Sequence, residues 1–475
     1  MDTELSFEKI IAYIRSNFRS DTRVYLVGGV VRDMILGIPS NDIDIVLTGN
    51  VRSISRSIAN HFSGDFYPLD EERHAYRVIL HDSSTKDIIL DIALMRGKSI
   101  EEDLEDRDFT INAIAIDVSK IDKGAYIDPL DGIGAIENQL ISACSGQSLV
   151  NDPVRVLRAI RFACQFNNAI DNKTKEAMHD AVPHLNETSQ ERIRDEFFKM
   201  LGKTWTRECL NYCLQFNLAQ KLFPGSENCP DNWLESNEVI NDLNHFLIKP
   251  EGEGKEQLPC KLLINTFQKN ICDYLEDVIV SDRSVIKVLS LGILLHQEFN
   301  CILSCALDSG DRKKTLHSFL KKRGADFVLS NLEINFLRKL TINWDVISDS
   351  IKINRMITPI DIYRFFRSSG DAGIGLCLIS CASVQHFSER TQKKIDSTIS
   401  NLFSAYWNSY QQVISPQRFL DGNDLIHEFH LKPGPQFKAY LEALREAQVT
   451  GTVRNRDEAI AFIRQKIVEF SGTGN

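Results

Sequence analysis

Over the first 140 or so residues, short apolar runs rich in valine, isoleucine and leucine alternate with polar breaks. "RVYLV", "DIDIVL", "YRVIL", "DIILDIAL" and "INAIAID" have the length and β-branched content of strands, with brief helix-like segments between them. An α/β head is the expectation. After "NDPVRVLRAIRFACQF" the apolar positions recur at helical spacing to the end of the chain, interrupted at "FPGSENCPDNW", "KPEGEGKEQLPCK" and "LKPGPQ". No repeat of fixed period and no low-complexity tract is visible. The pattern predicts an α+β protein: a head over residues 1–140, a helical neck over 141–205, a helical body over 206–300 and a helical tail over 301–475.

Length and charge narrow this picture. A chain of 475 residues exceeds what one hydrophobic core usually serves, so several domains are expected. With a formal net charge of −10, bulk attraction to nucleic acid is excluded, and any RNA contact must use local basic patches. The opening "MDTELSFEKIIAYIRSNF" is charged and helix-like rather than a signal peptide, and no run of 18 apolar residues follows. The expectation is a cytoplasmic protein without a membrane partner. Of the 11 cysteines none forms a CxxC pair, and Cys209/Cys213, Cys301/Cys305 and Cys377/Cys381 fall four residues apart in apolar stretches. They read as small core residues on helices.

Candidate chemistry concentrates in "VYLVGGVVRDMILGIPSNDIDIVLTG". Val24 to Val27 reads as a buried strand, Gly28 and Gly29 as a tight turn, and Val30 to Leu36 as a short helix ended by Gly37. Backbone N–H groups at the helix start, with Arg32 one turn in, can hold an anion. In "DIDIVL" side chains alternate, so Asp42 and Asp44 share a face about 6.6 Å apart at Cα while Ile43 and Ile45 point into a core. Two such carboxylates can grip one or two Mg²⁺ ions in a phosphoryl-transfer site. The alternative is a glycine turn followed by an exposed acidic strand.

Four stretches read in order, "GGVVRDMILG...NDIDIV", "RDFTINAIA", "NDPVRVLRAIRF" and "ERIRDEFFKML", resemble the motif series of the bacterial-type tRNA nucleotidyltransferase and poly(A) polymerase family, whose members add CCA, part of CCA, or poly(A) to RNA 3′ ends. The likeness covers the first 200 residues, and "FLDGNDLIHEFHLKPGPQFKAYLEALREAQVTGTVRNRDEAIAFI" resembles the carboxy-terminal segment of longer members. The resemblance implies a polymerase-β-like head. It puts nucleotide phosphates on Gly28, Gly29 and Arg32, and the metal on Asp42 and Asp44, with Asp91 of "LDIAL" as a candidate third carboxylate. It also implies that Arg107 contacts the nucleotide, and that Asp108 and Asn112 hold the pocket and sugar. Asp152 and Arg155 would bond the Watson–Crick edge of the incoming base, with Arg158 and Arg161 adding charge toward the triphosphate. Competing structural readings make Asp152 and Pro153 a helix cap and first turn, and the three arginines a solvated face.

The chain departs from the family pattern in three places. Asn151 stands where glutamate usually precedes the aspartate. Only "GKSIEE" separates "DIALMR" from "DLEDRDF", with Asp106 in place of an arginine, and a short loop here is a feature of members that add only the two Cs. His296 is followed by Gln297 where longer members carry a His-Asp metal signature, so a buried helix is expected. The resemblance implies a template-independent tRNA nucleotidyltransferase using Mg²⁺, CTP and/or ATP, and tRNA. Poly(A) polymerase and a catalytically silent RNA-binding protein are the alternatives.

Overall fold

The computed structural model describes residues 5–18, 22–82, 87–202, 204–224, 230–247, 260–305, 312–347, 349, 357–384 and 387–472. The breaks expected within 223–233 and 249–261 fall largely outside these residues. The chain forms two compact units: residues 1–197 with 211–218, and residues 198–210 with 219–475.

The first unit is built on a seven-stranded sheet. In chain order its strands are β1 (Val24–Val27), β2 (Asp42–Leu47), β3 (Asp65–Asp70), β4 (Ala75–Leu80), β5 (Ile88–Leu94), β6 (Ala115–Asp117) and β7 (Tyr126–Ile127), arranged β3-β4-β5-β2-β1-β6-β7. Within this sheet the β2–β5 pair is parallel and the other neighbouring pairs are antiparallel. The five apolar runs each contribute a strand, although "INAIAID" keeps only its last residues, because Thr110–Asn112 curls into a 3₁₀ turn. The other two strands, β3 and β7, carry no such signal. β3 is a mostly exposed edge strand that contains Pro68, which suits an edge because proline has no N–H to donate.

Both faces of β1 are buried, which explains its unbroken apolar run. On one face Leu26, Ile43, Ile45, Leu47, Leu90 and Ile92 form the main core with α1 (Phe7–Asn17) and α3 (Val51–Phe62). On the other, Tyr25, Val27 and Val46 pack with Ile100 and Leu104 of α4 (Ile100–Glu105). Asp42 and Asp44 belong to that second face, as the alternation requires. Beyond the sheet lie α5 (Gly132–Glu137), α6 (Gly146–Asn151), α7 (Arg155–Phe166), α8 (Asn172–Ala181) and α9 (Gln190–Met200).

The second unit is mostly helical; Val278–Val280 and Arg283–Ser284 pair as a short antiparallel ribbon, which departs from the all-helical expectation for this part of the chain. Val285–Cys305 is its central helix, and over Val285–Ser304 it is long and apolar enough to span a membrane. The expectation of no unbroken run of 18 apolar residues holds, because Lys287, His296, Gln297, Glu298 and Asn300 interrupt the stretch; its mean hydropathy is nevertheless 1.3, and 78% of the window is buried inside the protein. Within it Gly292 lies against Leu340, whose side chain would collide with an added Cβ. His296 is buried, stacked on Trp344 at 3.8 Å between ring centroids, and burial holds its imidazole down at about 3. The segment is thus the buried helix expected of it. Cys209, Cys213, Cys301, Cys377 and Cys381 are buried, as their apolar surroundings suggested, while the Cys305 side chain lies outside the described set. At the end of the chain, Leu425, Tyr440, Leu444 and Ile463 form a separate small core. It is joined to the helix Pro359–Ser369 by Tyr363 donating to Glu442 at 2.9 Å and by the Arg364–Glu446 ion pair at 2.6 Å.

Candidate active site

Strand β1 runs directly into the glycine turn. Gly28 has φ +74° and ψ −139°, a conformation essentially restricted to glycine, and it caps α2 (Gly29–Leu36), which ends at left-handed Gly37 as the sequence suggests. A Cβ on Gly28 would sit 2.9 Å from Asp44 Oδ2 and 3.1 Å from Arg107 Nη1. The turn, the acidic strand and the "RDF" segment therefore meet at one point. Gly28→Ala is expected to displace the Asp44 carboxylate and lower nucleotide incorporation by about 100-fold, the scale on which a misplacement near 1 Å acts. Single-turnover rates would check this, and parental rates would show that the glycine is only a turn residue.

Asp42 is exposed and Asp44 half-buried on the same strand face. Burial pushes the Asp44 carboxyl above its ordinary range. Arg107 opposes that shift, Asp91 and Asp42 reinforce it, and a backbone bond from Gly29 opposes it. Carboxylates crowded in this way fit a divalent cation, which relieves their mutual repulsion. Asp91 is brought beside Asp44 by the parallel register. Both its oxygens, however, accept from Arg77 on β4 at 2.8 Å, so its carboxylate is turned to that arginine rather than left open. Among the described residues no cluster of three or more His, Cys, Asp or Glu is placed to hold a metal.

A continuous polar chain runs from the glycine turn into the helices. Arg32 is buried; it donates to Asp33 Oδ1 at 2.7 and 2.9 Å and to Asn112 Oδ1 at 2.7 Å, and its guanidinium lies over the Phe166 ring at 4.6 Å. The 3₁₀ turn aims Asn112 back so that its amide also donates to Asp108 Oδ1 at 3.2 Å. Arg158 grips Asp108 Oδ2 with two bonds of 2.9 and 2.7 Å, and reaches Glu196 at 3.1 Å. Arg161 closes the chain on Glu196 at 2.9 Å and stacks on Phe162 at 4.1 Å. Burial alone would raise the Asp108 carboxyl, but Arg158, the Phe109 N–H and the Asn112 amide together hold it below the usual range. The solvated-face reading of the three arginines is thus corrected: Arg158 and Arg161 are largely enclosed and face carboxylates from other segments.

Asp152 and Arg155 meet at the junction of α6 and α7. Asp152 is the C-cap of α6, and Val154 takes the N-cap position of α7, so the reading of Asp152 as the N-cap of the following helix does not hold. Its Oδ2 lies 3.6 Å from Arg155 Nε and accepts from Arg192 Nη2 at 2.8 Å, whereas Oδ1 is buried with no partner among the described residues. Arg155 is steadied by the carbonyl oxygens of Arg107 at 3.0 Å and Asp106 at 3.3 Å. Arg107 in turn donates to buried Asp103 at 3.0 Å. Sequence reasoning missed Glu196, Asp103, Arg77 and Arg192. Glu196 lay inside the quoted "ERIRDEFFKML", but nothing local marks it as the partner of arginines 35 and 38 residues earlier.

A glycine turn feeding a helix beside a two-aspartate strand, on a mixed sheet followed by helices, defines a polymerase-β-like nucleotidyltransferase head. Residues 24–142 match the Poly A polymerase head domain, 168–229 the probable RNA and SrmB-binding site of polymerase A, and 387–463 the putative tRNA nucleotidyltransferase domain 2. A CC-adding tRNA nucleotidyltransferase of Geobacter sulfurreducens is 41% identical over 177 residues, 37% of this chain and 40% of the relative. One of Synechocystis is 25% identical across 93% of this chain and 92% of its own length. A CCA-adding enzyme of Enterococcus faecalis is 30% identical, over 56% of this chain and 69% of the relative. A solved CCA-adding enzyme in complex with CTP shares the fold with a TM-score of 0.64 at 20% identity, covering 98% of this chain and all of that one. The chain belongs to the bacterial-type tRNA nucleotidyltransferase and poly(A) polymerase family.

Proposed function

We propose that this protein transfers cytidylate from CTP, without a template, to the 3′ hydroxyl of tRNA, with release of pyrophosphate. The observation that carries this reading is the meeting of Gly28, Asp44 and Arg107 at one point, with Asp42 on the same face. Asp42 and Asp44 would hold Mg²⁺, a hard cation that takes carboxylate oxygens. Bound there, Mg²⁺ supplies charge neutralisation at the triphosphate and activation of the attacking hydroxyl. Arg107 sets positive charge beside Asp44, and the N–H groups at the start of α2 face the phosphates.

Base choice falls to Asp152 and Arg155. Cytosine and adenine both present an amino donor next to a ring-nitrogen acceptor, so a carboxylate that accepts and a guanidinium that donates suit both bases and disfavour uracil and guanine. The loop favours addition of C alone. It is short and tied down: Arg96 pairs with Asp106 at 3.0 Å, the Arg96 N–H donates to Asp103 at 2.9 Å and the Lys98 N–H donates to Glu102 at 2.7 Å.

The test is incorporation of labelled CTP or ATP, supplied separately with Mg²⁺, into tRNA transcripts ending before CCA, after one C and after CC. Labelling by CTP up to two residues, with none from ATP on the CC-ended transcript, is the expected outcome. Addition of a single A to that transcript would reject CC-only addition, a long A ladder on unstructured RNA would indicate poly(A) polymerase, and no incorporation would leave an RNA-binding protein.

A further inference from the structure

We infer that Arg192 positions Asp152 for base recognition; this rests on the nucleotide transfer proposed above. Asn151 is exposed, and its side-chain oxygen accepts from Gln147 at 3.0 Å, on the outer side of α6. Asp152 instead takes its bond from the first turn of α9, 40 residues on, where Arg192 Nη2 holds Oδ2 at 2.8 Å. The other oxygen, Oδ1, is left without a hydrogen-bond partner among the described residues, an acceptor for the amino group of a base. Leaving such an atom unmatched is costly, and an amino group of the right geometry recovers that cost.

Arg192 also keeps the two base-recognition groups apart. Arg155 Nε stands 3.6 Å from Asp152 Oδ2, too long for a good hydrogen bond. Without Arg192 the carboxylate is free to turn onto Arg155, so that the acceptor and donor satisfy each other instead of a nucleotide. α9 is anchored for this task by Glu196, one turn beyond Arg192, through its bonds to Arg158 and Arg161. Arg192 touches no substrate in this scheme and acts only through Asp152.

The experiment compares wild type, Arg192→Gln, Arg192→Lys and Asp152→Asn for kcat and KM with CTP and with UTP on a tRNA transcript lacking CCA. The Arg192 side chain is 56% exposed, so its replacement should leave the fold intact, which thermal melting would verify. Arg192→Gln is expected to raise KM for CTP about tenfold with little change in kcat, and to lower the CTP-over-UTP preference about tenfold, the worth of one charged hydrogen bond. Arg192→Lys should recover part of both. The inference is overturned if Arg192→Gln keeps the preference and KM within twofold of wild type, or loses kcat equally with both nucleotides. If wild type incorporates nothing, or Asp152→Asn leaves the preference unchanged, the underlying transfer or base-recognition proposal fails and Arg192 falls with it. A shift with Asp152→Asn but none with Arg192→Gln removes only the role of Arg192.

Discussion

Asp44→Asn should give a protein that no longer incorporates nucleotide yet melts higher than the parent in EDTA. The Asp44 carboxyl is raised by burial and by its acidic neighbours. A carboxyl with a raised folded value favours the folded state while protonated, and that contribution is lost as pH rises from the ordinary carboxylate range through the folded value. At neutral pH its charge is therefore a burden on the metal-free protein. A neutral amide of the same shape removes it, for a gain of about 0.5–2 kcal/mol, typical of relieving a strained functional position. Incorporation should fall by roughly 1,000-fold or more, since several kcal/mol of charge stabilisation are lost. Mg²⁺ should raise the melting temperature of the parent and not of the variant. Asp42→Ala should also abolish incorporation while leaving tRNA binding intact. Melting curves with and without Mg²⁺, beside a CTP incorporation assay, check each part; parental turnover by either variant would reject the assignment of the carboxylates.

Glu196→Ala should be strongly destabilising within the polar chain that runs from Arg32 to Arg161. Glu196 is 5% exposed and is the shared partner of Arg158 and Arg161. Removing one side of a buried ion pair leaves the other side uncompensated, at about 3–5 kcal/mol. Because the Arg158 side chain is 31% exposed, about 2–3 kcal/mol is the better expectation. The loss should spread along the chain of bonds through Asp108 and Asn112 to Arg32, so KM for CTP should rise in the variant. The midpoint of urea denaturation and the KM together test this. A parental midpoint would mean that the arginines find water as readily as they find Glu196.

The legible parts of the molecule were those whose signals are local. Ile43 and Ile45 are each 1% exposed, as the alternation in "DIDIVL" requires, and Gly37 ends its helix with positive φ. The illegible parts depend on partners far along the chain. Asp91 looks in sequence like a third acid beside Asp42 and Asp44, and only the β4–β5 register places Arg77 opposite it. Asp152 before Pro153 has the form of a helix cap, but the chain turns so that α7 starts two residues later and the carboxylate meets Arg192. β3 escaped notice because an exposed edge strand needs no apolar alternation.

The linear order of residues was enough to decide the head-then-helices layout, the glycine bend and the pair of acids, because strand alternation and glycine torsions act within a few residues. Folding alone decided which charges stay available. It joined Arg32, Asn112, Asp108, Arg158 and Glu196 across 164 positions, and it left one oxygen of Asp152 without a partner among the described residues. A buried charge is defined by what is brought against it, and that depends on packing between distant segments rather than on spacing.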